Sequence, residues 1–401
     1  MQMAKKKIVI LMDGTSNQIS AKRTNILRLY GTLEKSPDQI VYYDPGVGTL
    51  GAKNRWGLSK PLDILGLLIG KGLLKNVLEA YRFIVANFEY EAKTNETDGW
   101  QDEIYIFGFS RGAFSARILA GLLRAFGIIE KRNLNLLDYI FRAYIRIGSK
   151  AAARDGETGK FAEIGLYRRI LQPYQPAIKF LGIFDTVSSV IKPKNGLFDV
   201  RRILPKPLES YAYVNNNDCI ETVRHAVALH EKRVMFRPCL RPENQSFSVA
   251  GVPKPQDQRE VWFSGVHSDV GGGEIKAESG LAKIPLLWII EEAAQKGLAF
   301  NQDLVNMLVR GHPRDDGKPP YCAPDPLGKM HKMAWPWMIA EFLPVYRPKA
   351  SSRPTIFGFT ISLFDLRVIP EGARIHASAL LRSEDLAEPI KNLPDTWQKE
   401  P

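Results

Sequence analysis

Short apolar runs, each stopping at a polar residue, limit what this chain can fold into more than any other feature of it. Lys7-Ile8-Val9-Ile10-Leu11-Met12 stops at Asp13-Gly14-Thr15, and Glu103-Ile104-Tyr105-Ile106-Phe107-Gly108-Phe109 stops at Ser110. Pro176 to Phe184 stops at Asp185, and Glu260-Val261-Trp262-Phe263-Ser264-Gly265 delivers Val266-His267. A strand that is apolar at nearly every position, rather than at every second one, is buried on both faces. Such strands belong to parallel sheets covered by helices on each side. Gln39 to Tyr43 reads as a further strand running into a turn-rich loop, Asp44-Pro45-Gly46-Val47-Gly48-Thr49.

Helical periodicity fills the intervals. Apolar spacing predicts helices within Asn17–Leu33, Leu62–Lys93, Gly112–Phe126 (with Gly127 as the stop), Asn133–Ile147, Ile220–Leu229 and Leu281–Lys296. Gly148 to Gly165, charged and glycine-containing, reads as an exposed loop or partial helix. Strands alternating with helices over residues 1–300 predict an α/β fold with a mostly parallel, doubly wound sheet flanked by helices. After about Asn301 proline, tryptophan and methionine thicken, so residues 301–401 are expected to form a C-terminal subdomain packed on that core. Within it, Thr355–Ile369 reads as strand and Ser378–Leu386 as helix. The Trp-, Met- and Pro-rich segment Met330–Tyr346 reads either as a lid that meets lipid or as a loop covering the core.

The run ending at Ser110 carries the strongest chemical signal. Gly108-Phe109-Ser110-Arg111-Gly112 between a strand and a helix is the nucleophile-elbow arrangement, which makes the expected fold α/β-hydrolase-like. A sharp turn projects the serine hydroxyl beyond the sheet, and strand and helix crowd so closely that the positions two before and two after must be small. The same turn aims the first helix amides at the oxygen that becomes negative under attack.

Such a serine needs an acid and then a histidine later in the chain, each on a loop at a strand's C-terminal end. Asp185 and His267 fit that order. The reading is that Ser110 attacks, His267 carries the proton, and Asp185 fixes the imidazole tautomer. The oxyanion donors are expected to be the Arg111 amide and one from the Gly14-Thr15 turn, with Asp13 holding that turn in shape. Asp269 is the rival acid, but its closeness to His267 suits bonding to the glycine-loop amides of Gly271-Gly272-Gly273. His225 and His230 fall near the end of the expected Ile220–Leu229 helix, as packing or surface residues. A second possibility keeps Asp13, Asp185, His267 and Asp269 as ligands of a divalent ion for phosphate-ester hydrolysis, although their spacing matches no metal motif. A third keeps the scaffold as a binding or regulatory module without catalysis. The leading reading requires no metal and no cofactor.

Bulk properties exclude other classes. Cys219, Cys239 and Cys322 lie far apart, which argues against a disulfide framework or a zinc site. The net charge of +12 is spread among acidic residues and lacks the aromatic–arginine stripe of a nucleic-acid track; it reads as a soluble basic surface, or as one that draws an anionic partner such as a phospholipid headgroup or a phosphate ester. The basic N-terminus leads into an apolar run too short for a signal peptide, and the Leu62–Leu74 stretch is broken by glycines, so a soluble protein made in the cytoplasm is expected.

With these residues in hand, the chain resembles a family of α/β hydrolases that includes the phospholipase effectors of bacterial type VI secretion (type VI lipase effectors, first family). The matching segments are Leu11 to Asn17, Tyr43 to Thr49, Gly108 to Ala113, Gly182 to Val187 and Val261 to Gly273, in the same order over residues 11–273. The resemblance implies a serine hydrolase acting through Ser110, Asp185 and His267, cleavage of phospholipid acyl esters, and delivery by a machine that needs no signal peptide. The chain departs from the secreted effectors in lacking the large membrane-anchoring modules that some of them carry.

Overall fold

The computed structural model describes residues 5–14, 22–46, 71–92, 94, 99–147, 156–187, 189–190, 206–207, 211–233, 236–249, 253–314, 316–332, 344–346, 359–361, 364–386 and 389–401. Its centre is one eight-stranded sheet. In chain order the strands are β1 (Lys7–Met12), β2 (Gln39–Asp44), β3 (Glu103–Phe109), β4 (Ile178–Phe184), β5 (Ile220–Ala228), β6 (Asp257–Phe263), β7 (Ala373–His376) and β8 (Trp397–Glu400). They lie in the order β8-β7-β6-β5-β4-β3-β1-β2, and every neighbouring pair is parallel.

The alternation along β1 and β3 explains why both runs are apolar throughout. Ile8, Ile10, Met12, Ile104 and Ile106 face one hydrophobic layer, with the helices Lys71–Asn87 (α1), Arg111–Phe126 (α2) and Leu137–Ile147 (α3). Val9, Leu11, Tyr105 and Phe107 face the other, where the helices Asn25–Thr32 and Gly280–Gln295 pack. Side chains two residues apart share a face, so a strand between two helical layers has no position left for water. The sheet therefore has two apolar surfaces rather than one.

The chain leaves β1 toward β2 on one side and returns to β3 on the other. That reversal opens a crevice at the C-terminal ends of β1 and β3, where open α/β sheets hold ligands. Ser110 stands at its lip.

Four expectations need correction. Ile220–Leu229 is not a helix but the central strand β5. Its polar residues interrupt the apolar run that a buried strand usually shows, yet each finds a partner: Arg224 bonds Glu292 (2.6 Å) and Asp257 (3.0 Å), and His225 bonds Glu260 (2.7 Å). Burial between β4 and β6 thus overrides the local pattern. The helix Gly156–Leu171 extends beyond the loop or partial helix expected for Gly148–Gly165. In Thr355–Ile369, the described strand is only Phe359–Ile361, paired antiparallel with Pro344–Tyr346, while residues 365–370 form no regular element. The sheet also crosses the boundary expected near residue 300, because β7 and β8 extend it in parallel beyond β6. Most of Met330–Tyr346 lies outside the described residues. Among those described, no helix is long and apolar enough to cross a membrane.

Candidate active site

The turn at Ser110 is built as its glycines require. Ser110 has φ 58° and ψ −121°, a conformation that side-chain-bearing residues rarely adopt and that costs about 1–3 kcal/mol. The Ser110 amide is held by the Phe184 carbonyl at 3.0 Å, which ties the turn to β4. A Cβ on Gly108 would come within 2.6 Å of the Ala113 Cα, and one on Gly112 would strike the carbonyl oxygens of Met12 and Asp13. Strand, turn and helix can meet only without those methyls.

Ser110, Asp185 and His267 converge although 157 positions separate the serine from the histidine. His267 Nε2 is 2.8 Å from Ser110 Oγ, and His267 Nδ1 is 2.5 Å from Asp185 Oδ2. Because an ionised carboxylate only accepts, Nδ1 carries the proton and Nε2 is left to receive the hydroxyl's. Burial holds the His267 pKa below its ordinary value despite the opposing pull of Asp185, so the ring is neutral at neutral pH. His267 does not sit in an open loop, as the glycines behind it imply, but begins the five-residue helix His267–Gly271. Its ring lies between Phe109 and Phe236, each centroid 4.7 Å away, and its amide donates to Glu231 Oε2 at 3.1 Å.

Asp185 is fully buried, itself at φ 38°, and is held from several sides. Its Oδ1 accepts the Ala228 amide at 3.0 Å. Arg367 forks across both oxygens, Nη1 to Oδ1 at 2.5 Å and Nη2 to Oδ2 at 2.9 Å. Burial alone would raise the carboxyl's pKa, but the Arg367 charge and the His267 bond outweigh it and hold it well below the usual carboxylate range. Next to it, the Thr186 amide donates to Nε2 of the buried His225 at 3.1 Å. His230 Nδ1 takes the Gly265 amide at 3.0 Å on the turn leading to His267. Neither histidine lies on a helix; each steadies one of the two loops.

The supporting residues divide by the turns they hold. Asp13, 3% exposed, accepts from the Gly14 amide (2.7 Å), Thr24 Oγ1 (2.6 Å) and Tyr43 OH (2.9 Å). The Gly14 amide is thereby engaged within its own turn, and Thr15 lies outside the described residues. The Arg111 amide opens α2 directly after the serine. Asp269 accepts the Val266 and His331 amides at 3.0 and 3.1 Å, and its Oδ1 is 2.6 Å from His331 Nδ1. It makes no bond to the His267 ring among the described contacts. Likewise, among the described residues no group of three or more His, Cys, Asp or Glu side chains is arranged to hold a metal ion.

Arg367, Glu231 and His331 are the site neighbours that sequence reasoning missed. Arg367 and His331 lie in irregular segments far along the chain, and a lone arginine or histidine there gives no periodic signal. Glu231, two residues from Arg233 and just past β5, was hidden by the helical reading of that stretch.

A family model described as the catalytic domain of Tle1-like phospholipase effectors of type VI secretion matches residues 6–292. A relative, the uncharacterized protein YEL023C of Saccharomyces cerevisiae, is 30% identical over 248 residues, which cover 59% of this chain and 33% of the yeast protein. Among solved structures, an uncharacterized protein from Pseudomonas aeruginosa shares 20% identity at a TM-score of 0.39, over 74% of this chain and 46% of that one. The Tle1 effector bound to the VgrG spike of the type VI secretion system shares 21% identity at a TM-score of 0.37, over 69% and 53%. The chain thus spans a third to about half the length of these relatives.

Proposed function

Because the chain belongs to the family of Tle1-like type VI secretion phospholipase effector catalytic domains, we propose that it is a serine esterase that cleaves an acyl ester of a phospholipid through Ser110, His267 and Asp185. The observation that carries this reading is the continuous line of contacts from Ser110 Oγ through the His267 ring to Asp185, at 2.8 and 2.5 Å.

In this mechanism Ser110 Oγ attacks the ester carbonyl carbon while His267 Nε2 takes the hydroxyl proton. The imidazolium so formed is stabilised by Asp185, whose own charge is fixed by Arg367. The carbonyl oxygen, now negative, is met by the Arg111 amide at the start of α2, with a second donor from the turn after β1. Since Gly14 donates to Asp13, that second donor is Thr15 or a Gly14 amide released from Asp13. Collapse expels the alcohol, which takes the proton from His267 and leaves an acyl-Ser110 ester. Water, deprotonated by the same nitrogen, then releases the fatty acid and restores the serine. A neutral, buried imidazole is the form this cycle requires at its start.

The stretch after residue 300 belongs to this site through Arg367, so the catalytic unit extends beyond residues 1–300. The net positive charge favours contact with an anionic membrane, and delivery by a secretion machine follows from the family. The test pairs a fluorophosphonate probe with mass spectrometry of products from a phospholipid and ester panel. Wild type should label at Ser110 and release fatty acid; Ser110→Ala should do neither. Unchanged hydrolysis by Ser110→Ala removes the serine mechanism, and labelling with turnover only of short soluble esters removes the phospholipid assignment.

A further inference from the structure

A cavity of about 180 Å³ opens beside the glycine turn that follows the His267 helix. Its lining includes Arg23, Arg28, Lys276 and Lys283 together with Tyr30 and Tyr321, and among the described residues it contains no carboxylate. Ser110, Arg111, Asp185, His267 and Arg367 are not among the described residues that line it.

Among the described residues these cations have no carboxylate partner. Arg28 is 6% exposed, and its guanidinium bonds the Asn25 side-chain oxygen at 3.1 Å. Lys283 is 1% exposed and donates to the Cys322 carbonyl. Among the described residues neither Arg23 nor Lys276 makes an ion pair, although the Lys276 ammonium lies 4.8 Å from the Tyr321 ring centroid. Burial, with the neighbouring Arg23 charge, lowers the Arg28 pKa to about 10; burial, with Arg28, lowers that of Lys283 to about 8. Buried charges are ordinarily paired, and two buried cations facing two more around an open volume lack only the anion.

We propose that this cavity is a binding site for a phosphate-type oxyanion. Arg23, Arg28, Lys276 and Lys283 hold its oxygens, and the Tyr30 and Tyr321 rings wall the substituent it carries. The volume admits a phosphate with a small organic group attached, and a guanidinium beside ammonium groups favours a multidentate oxyanion over a halide. The site is mechanically joined to the helix that begins at His267 and to the glycine turn after it. Asn25, which holds Arg28, also grips the carbonyls of Val270 (2.8 Å) and Ala282 (2.7 Å), and the Gly273 amide donates to the Arg23 carbonyl at 3.0 Å. A Cβ on Gly272 would reach the Arg28 guanidinium at 3.0 Å. Neutralising these cations therefore stiffens the segment that follows His267.

The test uses the full chain carrying Ser110→Ala, so that no ester is consumed and the outcome does not depend on the proposed chemistry. Inorganic phosphate and glycerol 1-phosphate are titrated by calorimetry and thermal melting at constant ionic strength set with chloride. Saturable binding with a rise in Tm is expected; Arg23→Gln and Lys276→Gln, both solvent-reaching, should each weaken it about tenfold, and Lys75→Gln, at an exposed position of α1, should not. A flotation arm with phosphatidylglycerol and phosphatidylcholine vesicles separates the sources. Vesicle binding that is specific to phosphatidylglycerol, displaced by phosphate and lost in the same variants assigns the site to a lipid headgroup. Phosphate binding without vesicle competition assigns it to a small phosphate compound. Phosphate that acts no differently from chloride, or that binds Arg23→Gln and Lys276→Gln as tightly as the parent, overturns the proposal.

Discussion

Arg367 and Asp185, 182 positions apart and both essentially without solvent contact, form a two-pronged ion pair directly behind the imidazole of His267. Arg367 also donates to the carbonyls of Ala228 and Phe236, so its position is set independently of the acid it holds. An acid so paired stays ionised while fully buried, which is what a partner of a transient imidazolium must do.

Replacing Arg367 by Met should therefore damage both folding and turnover. Removing one member of a buried ion pair leaves the other charge uncompensated, at a cost of about 3–5 kcal/mol. Denaturant melts at pH 7 should show that loss. Because Asp185 would then protonate more readily, the acid limb of kcat/KM should move to higher pH, a shift that a purely structural defect would not produce. In the wild type the folded Asp185 pKa is depressed, so its contribution to stability is present above the unfolded value of about 4 and lost as pH falls below it.

Asp185→Asn and Asp269→Asn should separate cleanly. The first keeps the shape but reverses the hydrogen-bond preference toward His267 Nδ1, and a loss of about 10,000-fold in kcat is expected. The second removes a carboxylate that holds the Val266 amide and His331, and its effect should appear mainly as a lower Tm. Steady-state kinetics alongside melting decides; a larger kinetic loss in Asp269→Asn would reassign the acid.

In the proposed mechanism His267 sets the pH dependence. Its folded pKa lies below its ordinary value because of burial, so activity should rise with pH through a midpoint under about 6.5 and stay on a plateau at neutral pH. The stability term has the same sign: it is present above the unfolded pKa and lost as pH falls toward the folded one. A kcat/KM profile with its acid midpoint well above 6.5 would show that the imidazole is not the buried, neutral group described.

How much of this was legible beforehand follows from the range of the forces involved. β1, β3, β4 and β6 announce themselves because a strand between two helical layers must be apolar at nearly every position, and the tight turn at Ser110 because Gly108 and Gly112 answer a steric demand within five residues. The order of Ser110, Asp185 and His267 could be read from strand ends. β5 could not, since Arg224 and His225 are made tolerable there only by Glu292, Asp257 and Glu260 from elsewhere. The Arg367 pairing and the clustering of the cavity cations share that property: each is a relation between distant segments and leaves no local periodicity.

His331 offers the opposite pH signature from His267. Burial favours its neutral form, but Asp269, Glu274 and Glu278 outweigh this and raise its pKa, so the charged ring bridges residues 329–332 to the glycine loop. That clasp is fully formed below the unfolded pKa of about 6.5 and is lost as pH rises through the folded value. Hydrogen exchange at residues 265–273 should accordingly quicken in the alkaline direction in wild type. In His331→Gln it should be fast already at pH 6, because an amide side chain cannot replace an imidazolium between carboxylates. If exchange in the two proteins is equal at pH 6, the contact is incidental and the glycine loop is held without it, by the Asp269–Val266 bond and the Asn25 and Arg23 contacts.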